Sequence, residues 1–241
     1  MAENRRVRAA HKGEIAKEES MNGQAGAAEL LRIIRGPMVE CLHRGHVAVW
    51  HHDEGLVAGW GDPSLPVLPR SAMKMIQALP LVESGAADAA GLSQKHLALA
   101  CASHQGAHIH TDLVTTWLGA IDRNEGDLRC GTHWPKDEAA AHELIRAHGQ
   151  PDQRHNNCSG KHTGFLTLAR HLGAGPEYLE IDHPVQRAVR DAIEDLAGEE
   201  CAGYAIDGCS APNFVLSLQG FARALSSFAV ASGAGGVGAP R

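Results

Sequence analysis

Several features that would assign the chain to a particular class of protein are missing from its 241 residues. Aromatic residues make up only 4% of the chain, whereas hydrophobic residues make up 44%. A core must therefore consist mainly of alanine, leucine, valine and isoleucine side chains. No run of about 18 apolar residues is present, which argues against a membrane-spanning helix and a membrane partner. The charged N-terminus is not followed by an apolar segment, so we expect no signal peptide and a cytoplasmic location.

The chain also lacks an excess of positive charge. Its formal net charge is -6 and its isoelectric point is about 6.2, which gives no electrostatic reason to expect binding to nucleic acid. Neither of the glycine-rich motifs that bind nucleotides is present. The six cysteines of a cytoplasmic protein are more often free or metal-bound than paired in disulfides.

The pattern of apolar residues divides the chain into three segments. Residues 1–28 are rich in charge, glycine and alanine, and we expect them to form a poorly ordered leader. Residues 29–231 form a folded domain, and the glycine- and alanine-rich residues 232–241 form a flexible tail. Within the domain, helical patterns outnumber strand-like runs, which indicates an α/β or α+β fold.

Several elements can be predicted from local patterns. Two strand-like runs around Val47 and Leu56 flank turn residues and predict a hairpin at the edge of a sheet. Ser93 lies at the expected start of a helix, and Pro184 lies in the first turn of another. A last helix is predicted over residues 216–230.

The stretch with the clearest chemical pattern lies at residues 69–79. Ser71 follows a proline-rich loop at the expected position of a helix cap, and Lys74 comes one helical turn later. In a Ser-x-x-Lys pair, an uncharged lysine can take the proton of a nucleophilic serine. Lys74 is flanked by Met73 and Met75, and an apolar setting lowers the pKa of a lysine toward that of a general base. The alternative is that Ser71 only caps a helix and that Lys74 is a solvated charge.

Three other places carry polar groups that could serve a reaction. Ser103, which follows an apolar run, could shuttle protons to a leaving group or could be an ordinary loop serine. Cys158 and Cys209 could supply two thiolates to zinc, with His162 as the conventional nitrogen ligand. The alternative is that both cysteines are small buried apolar residues. Asp207, after a short strand, could hold a substrate ammonium group or could only form a turn.

Five motifs are distributed along the chain in a fixed order. They are Leu-Pro-Arg-Ser-Ala-Met-Lys at 68–74, Gln-Ala-Leu-Pro-Leu-Val-Glu-Ser-Gly at 77–85, Cys-Ala-Ser-His at 101–104, Asn-Asn-Cys-Ser-Gly-Lys-His-Thr-Gly-Phe at 156–165, and Asp-Gly-Cys-Ser-Ala-Pro at 207–212. Together they resemble the rhizobial-type L-asparaginases, which are the class 3 enzymes of the asparaginase II family. The resemblance covers roughly residues 37–230.

The resemblance implies both a fold and an activity. The fold would be like that of serine β-lactamases and glutaminases, with a sheet flanked by helices and a helical subregion. Residues 29–231 would then be a catalytic domain that converts L-asparagine to L-aspartate and ammonia. The resemblance also implies a homodimer with a zinc ion near each active site.

The motif match also implies roles for individual residues. Those implied for catalysis are Ser71 as nucleophile, Lys74 as its partner and Ser103 as the second serine. Those implied for zinc binding are Cys158, Lys161 and Cys209. Those implied for the surroundings of the substrate are Arg70, His162 and Asp207. A lysine ligand must lose its proton to bind a metal, and His162 therefore stays open as the alternative nitrogen ligand.

The family pattern also contains a second lysine, which pairs with the second serine and lies beyond position 241 of this numbering. We therefore expect a C-terminally truncated chain with an incomplete fold. Two alternatives to serine–lysine catalysis stay open. A zinc-bound water could attack the amide, or the chain could be an impaired remnant that only binds asparagine or metal.

Overall fold

The computed structural model of the chain describes residues 26–231. The strands within them are β1 Ala28–Arg35, β2 Met38–Gly45, β3 Val47–His51, β4 Gly55–Trp60, β5 Pro66–Val67, β6 Gly203–Ile206 and β7 Pro212–Ser217. The helices are α1 Lys74–Gln77, α2 Leu79–Glu83, α3 Ala86–Ala89, α4 Gln94–Cys101, α5 His108–Ala120, α6 Glu138–Arg146, α7 Ser159–His171, α8 Pro184–Ala197 and α9 Leu218–Val230. The predicted tail and residues 1–25 of the predicted leader lie outside the described residues.

The described residues divide into two compact units, and the first contains most of the strands. It comprises residues 26–68, 196–205 and 214–230. Strands β1 and β2 form one antiparallel pair, β3 and β4 form another, and β5, β7 and β6 form a three-stranded sheet in that order. Helix α9 packs against β3. Small sheets and helices are thus mixed in the chain, which confirms an α+β fold.

The hairpin of β3 and β4 confirms the prediction from the two strand-like runs. The two strands form a sheet of their own, so their predicted position at the edge of a larger sheet is wrong. The predicted start of the last helix is also wrong, because β7 continues to Ser217 and α9 begins at Leu218. The apolar run of Phe214, Val215 and Leu216 fits a strand as well as a helix, and periodicity alone does not separate the two.

The second unit is mainly helical and comprises residues 69–195 and 206–213 together with residue 231. Helix α7 lies at its centre, and its residues 159–169 are all buried. It packs against α2, α3, α4 and α5. A Cβ atom added to Gly160 would lie only 2.4 Å from the carbonyl oxygen of Leu99, so the glycine permits the close approach of α7 to α4.

Helix α8 also belongs largely to this unit and shows the predicted apolar face. Val185, Val189 and Ile193 are fully buried at intervals of four residues. Helix α4 begins after Ser93, as predicted, and the ring of His96 accepts a hydrogen bond from the Ser93 N–H at 3.0 Å. Among the helices of residues 26–231, none combines the length and the hydrophobicity needed to cross a lipid bilayer.

Candidate active site

Ser71 and Lys74 lie where a 3-10 turn, Arg70–Met73, leads into helix α1. Ser71 is inside this turn, and Pro69 precedes it without any side-chain cap, so the predicted capping role of Ser71 is wrong. Arg70 has a φ of +52°, which is uncommon for a residue other than glycine. Strained backbone of this kind is often found at functional sites, where the surrounding structure maintains it. Here it lies directly before an exposed serine.

The amine of Lys74 is buried, with only 2% of the residue exposed. Its Nζ lies 2.6 Å from the carbonyl oxygen of Ala102, 2.9 Å from Ser103 Oγ and 3.4 Å from the carbonyl oxygen of Asn157. None of the ion pairs formed among residues 26–231 includes this lysine. Burial lowers the pKa of Lys74, and the nearby Cys158 side chain opposes this effect. The environment therefore favours the uncharged amine.

The carbonyl oxygens of Ala102 and Asn157 and the Ser103 hydroxyl differ in whether they can donate a proton to an uncharged Lys74 amine. A neutral lysine has two N–H donors and one lone pair, whereas a carbonyl oxygen can only accept. Of these three groups, Ser103 is therefore the one that can donate its proton to the lone pair. The Lys74 backbone N–H donates to the Ser71 carbonyl oxygen, but no hydrogen bond between described residues joins the Ser71 hydroxyl to the Lys74 amine. The structure thus brings Lys74 directly onto Ser103, a contact that the Ser-x-x-Lys pattern does not reveal.

Arg70 and Asp207 form an ion pair beside Ser71. The guanidinium donates through Nε at 3.0 Å and Nη2 at 2.8 Å to Asp207 Oδ1. The same oxygen accepts the N–H of Gly208 at 2.8 Å. The Arg70 N–H donates to Asn213 Oδ1 at 3.2 Å, so this asparagine, which sequence reasoning missed, supports the strained turn. The Arg70 side chain is 67% exposed and the Asp207 side chain 11%, so the arginine head faces solvent.

The two predicted thiols come together in the second unit. Cys158 directly precedes α7, both cysteines are 3% exposed, and Lys161 Nζ lies 3.2 Å from the Cys209 sulfur. A hydrogen bond from Cys158, together with nearby His162 and Lys161, lowers the pKa of the Cys209 thiol. The same hydrogen bond and burial raise the pKa of Cys158. The two sulfur atoms and the nearby lysine amine are a possible donor set for a metal ion. The metal ion would replace the proton that the two thiols share.

His162 is fully buried and packs its ring against Tyr178 and Phe165. Its Nδ1 lies 2.9 Å from the hydroxyl oxygen of Tyr178, and its Nε2 has no hydrogen-bond partner. Burial lowers the pKa of His162 to about 4, so the ring is neutral. No group of three or more His, Cys, Asp or Glu side chains within residues 26–231 is placed to hold a metal ion. A metal ion bound by the two cysteines would need a ligand of another type, and the Lys161 amine lies 3.2 Å from the Cys209 sulfur.

His104 is another buried residue of the site that sequence reasoning missed. Its Nδ1 accepts the N–H of Gly106 at 3.1 Å, and its Nε2 lies 2.8 Å from Ser159 Oγ. Burial lowers the pKa of His104 to about 3, so a neutral ring donates from Nε2. Its backbone N–H donates to the carbonyl oxygen of Asn157 at 3.1 Å. His104 thus joins the loop that carries Ser103 to the start of α7.

All nine residues that the sequence suggested for the site belong to the second unit. Comparison with known families gives a match to the family model described as L-asparaginase II over residues 31–237. This range covers most of the chain and includes all five motifs. Among curated proteins, none matches the chain.

Proposed function

The chain belongs to the L-asparaginase II family, and we propose that it hydrolyses the side-chain amide of L-asparagine by covalent catalysis on a serine. Family membership makes the chain an L-asparaginase, an enzyme that hydrolyses linear amides. The observation that carries the covalent mechanism is the buried Lys74 amine. It has no ion-pair partner among the described residues, and it lies 2.9 Å from a serine hydroxyl. A general base needs an uncharged amine of this kind.

We propose Ser71 as the nucleophile and Lys74 as the base. Ser71 Oγ forms a bond to the amide carbon, and its proton passes to Lys74 Nζ. Ser103 then relays a proton from Lys74 to the nitrogen of the amide, the C–N bond breaks, and ammonia leaves. A water molecule, deprotonated by Lys74, attacks the aspartyl ester and releases L-aspartate with restoration of the serine hydroxyl. The exposure of Ser71 next to the ion pair of Arg70 supports substrate access.

A second assignment exchanges the roles of the two serines. The contact of 2.9 Å between Lys74 Nζ and Ser103 Oγ favours Ser103 as the nucleophile, since a base must reach the proton that it removes. Ser71 would then relay the proton to the leaving ammonia. Both assignments use the same lysine and the same bond changes, and they differ in which oxygen becomes acylated.

The experiment that separates them measures ammonia release and locates the acyl group. Ser71→Ala, Ser103→Ala and Lys74→Met are assayed with asparagine and glutamine, beside Ser226→Ala as a serine control in α9. Acid-quenched samples are digested, and the peptide that carries an added aspartyl mass identifies the nucleophile. Acylation of residue 71 supports the first assignment and acylation of residue 103 the second. Full turnover in both serine variants would exclude covalent serine catalysis.

We further propose that the substrate's charged groups bind at the ion pair beside Ser71. Arg70 would hold the α-carboxylate, and Asp207 would hold the α-ammonium group. His162, buried against Tyr178, would contribute to the shape of this region without contacting solvent. The resemblance of the motifs supports these roles and a homodimer. We also propose a cytoplasmic location.

We propose zinc as the cofactor, held by Cys158, Lys161 and Cys209. The two buried sulfur atoms and the amine 3.2 Å from one of them support this ligand set. When bound, zinc would supply a fixed positive charge that keeps both thiols deprotonated. The residues themselves join the start of α7 to the segment that carries Asp207. If chelated protein keeps its turnover at saturating asparagine, a zinc-bound water is excluded as the nucleophile.

A further inference from the structure

The hydroxyl of Tyr178 lies between two nitrogen atoms in the interior of the second unit. Tyr178 is fully buried. Its hydroxyl oxygen accepts the backbone N–H of Arg129 at 2.8 Å and lies 2.9 Å from His162 Nδ1. It follows α7 in the chain and belongs to no helix or strand, so no local pattern points to it.

These two contacts determine where the hydroxyl proton goes. A tyrosine hydroxyl has one proton to donate, and the Arg129 N–H can only donate to it. Because Tyr178 is sealed from water, its own proton would be unpaired unless it is given to His162 Nδ1. His162 Nδ1 therefore accepts a hydrogen bond and carries no proton. In a neutral imidazole the proton must then be on Nε2.

This arrangement is the reverse of the one that a metal-binding histidine shows. A ligating ring gives the lone pair of one nitrogen to the metal and donates the N–H of the other nitrogen to an acceptor. In His162, the nitrogen that faces Tyr178 is the acceptor, and the opposite nitrogen is a donor. That donor is buried and has no hydrogen-bond partner among the described residues.

We propose that Tyr178 is a positioning residue that fixes neutral His162 in the form protonated on Nε2, so that neither ring nitrogen offers a free lone pair to the metal. The tautomer follows from the contacts of Tyr178 alone. Its consequence for metal binding rests on the proposed zinc site. The inference leaves the third ligand position to Lys161.

The test begins with metal-free protein labelled with nitrogen-15 in histidine. Long-range nitrogen–proton correlation spectra distinguish a ring protonated on Nε2 from one protonated on Nδ1. Comparison with His162→Gln assigns the signals of residue 162 among the sixteen histidines. We expect the Nε2-protonated pattern in the wild type and a shift toward the Nδ1-protonated pattern in Tyr178→Phe. Thr167→Val is the matched control, because it removes a buried hydroxyl that pairs with the Trp117 N–H at 3.0 Å and should leave the pattern unchanged.

Zinc binding is then measured by titration of the same variants. We expect Tyr178→Phe to bind one zinc ion per chain, because the Tyr178 hydroxyl contacts His162 and not a proposed ligand. His162→Gln should still bind one zinc ion per chain, because the histidine is not a ligand. A wild-type ring protonated on Nδ1, or a pattern that Tyr178→Phe leaves unchanged, would overturn the inference, and the wild-type spectrum decides this even if the variant does not fold. Complete absence of zinc binding in the wild type would refute the proposed zinc site and leave the tautomer to be judged by the spectra.

Discussion

Replacement of Lys74 by methionine is the most direct test of the proposed base. Methionine keeps the length and the apolar stem of the side chain and removes the amine that contacts Ala102, Ser103 and Asn157. Loss of a general base lowers a rate by about 10² to 10⁴-fold, which corresponds to about 3–5 kcal/mol of transition-state stabilisation. The assay is ammonia release at saturating asparagine. Lys95→Met makes the same replacement at an exposed position and should keep full activity.

The stability of Lys74→Met relative to the wild type should rise as the pH falls. Burial places the pKa of the folded lysine below its ordinary value of about 10.4. Between the two pKa values, the unfolded chain binds a proton that the folded chain does not, so wild-type stability rises with pH across this window. The methionine variant lacks this slope, and its stability relative to the wild type should therefore improve as the pH is lowered through the window.

Thermal unfolding of wild type and variant at several pH values between about 7 and 10, below the pKa of lysine in the unfolded chain, measures this difference. In Lys74→Met, the lost hydrogen bonds to the carbonyl oxygens of Ala102 and Asn157 cost roughly 1 kcal/mol each. This cost offsets part of the stability that the variant gains relative to the wild type at low pH. Two results would refute the reasoning. One is activity of Lys74→Met within about threefold of the wild type, since a base contributes at least about 10²-fold. The other is a constant difference in melting temperature across the pH range.

Three further predictions concern the surroundings of the lysine. Gly160→Ala should destabilise the protein by about 1–3 kcal/mol in chemical denaturation, because the new methyl group would lie 2.4 Å from a backbone oxygen of α4; Gly164→Ala, with 3.4 Å to its nearest neighbour, should be tolerated. Asp207→Asn should raise the KM for asparagine and leave the melting temperature nearly unchanged, since an ion pair with an exposed partner stabilises the fold by about 0–1 kcal/mol; an unchanged KM would remove Asp207 from the substrate site. Cys209→Ser should abolish bound zinc in elemental analysis, whereas Cys41→Ser in the first unit should retain it; equal zinc in both variants would contradict the ligand set.

The elements that could be predicted from the sequence are those whose signal is local. The apolar residues Val185, Val189 and Ile193 recur every four positions, and all three are buried on one face of α8. The hairpin of β3 and β4 follows equally from two strand-like runs and the turn between them. Strand β1 was not predicted, because Leu30 and Leu31 are adjacent in it and interrupt the alternation that marks a half-buried strand.

The site could be predicted as a set of residues but not as a set of contacts. Lys74 and Ser71 are three residues apart, and their spacing suggested a pair, yet the hydrogen bond of Lys74 goes to Ser103, which is 29 residues away. Such a contact depends on how α1 and α4 pack, and no periodicity within either helix encodes it. Tyr178 is even harder to predict, because it lies outside any helix or strand and belongs to no periodic pattern. Its role follows only from the two nitrogen atoms that the fold places beside it.

The start of α7 connects the proposed base with the proposed metal site. The carbonyl oxygen of Asn157 contacts the Lys74 amine, and the next residue, Cys158, supplies a thiol. Lys161, one turn later, contacts the other sulfur at 3.2 Å. Because these groups are carried by adjacent positions of one rigid segment, a shift of that segment must move the metal ligands and the lysine contact together. Zinc bound at this segment would therefore stabilise the position of the base while taking no part in the attack on the amide. Chelation should then lower the kcat of the wild type, because Lys74 is displaced. Lys74→Met already lacks the base, so its remaining kcat should fall little further on chelation.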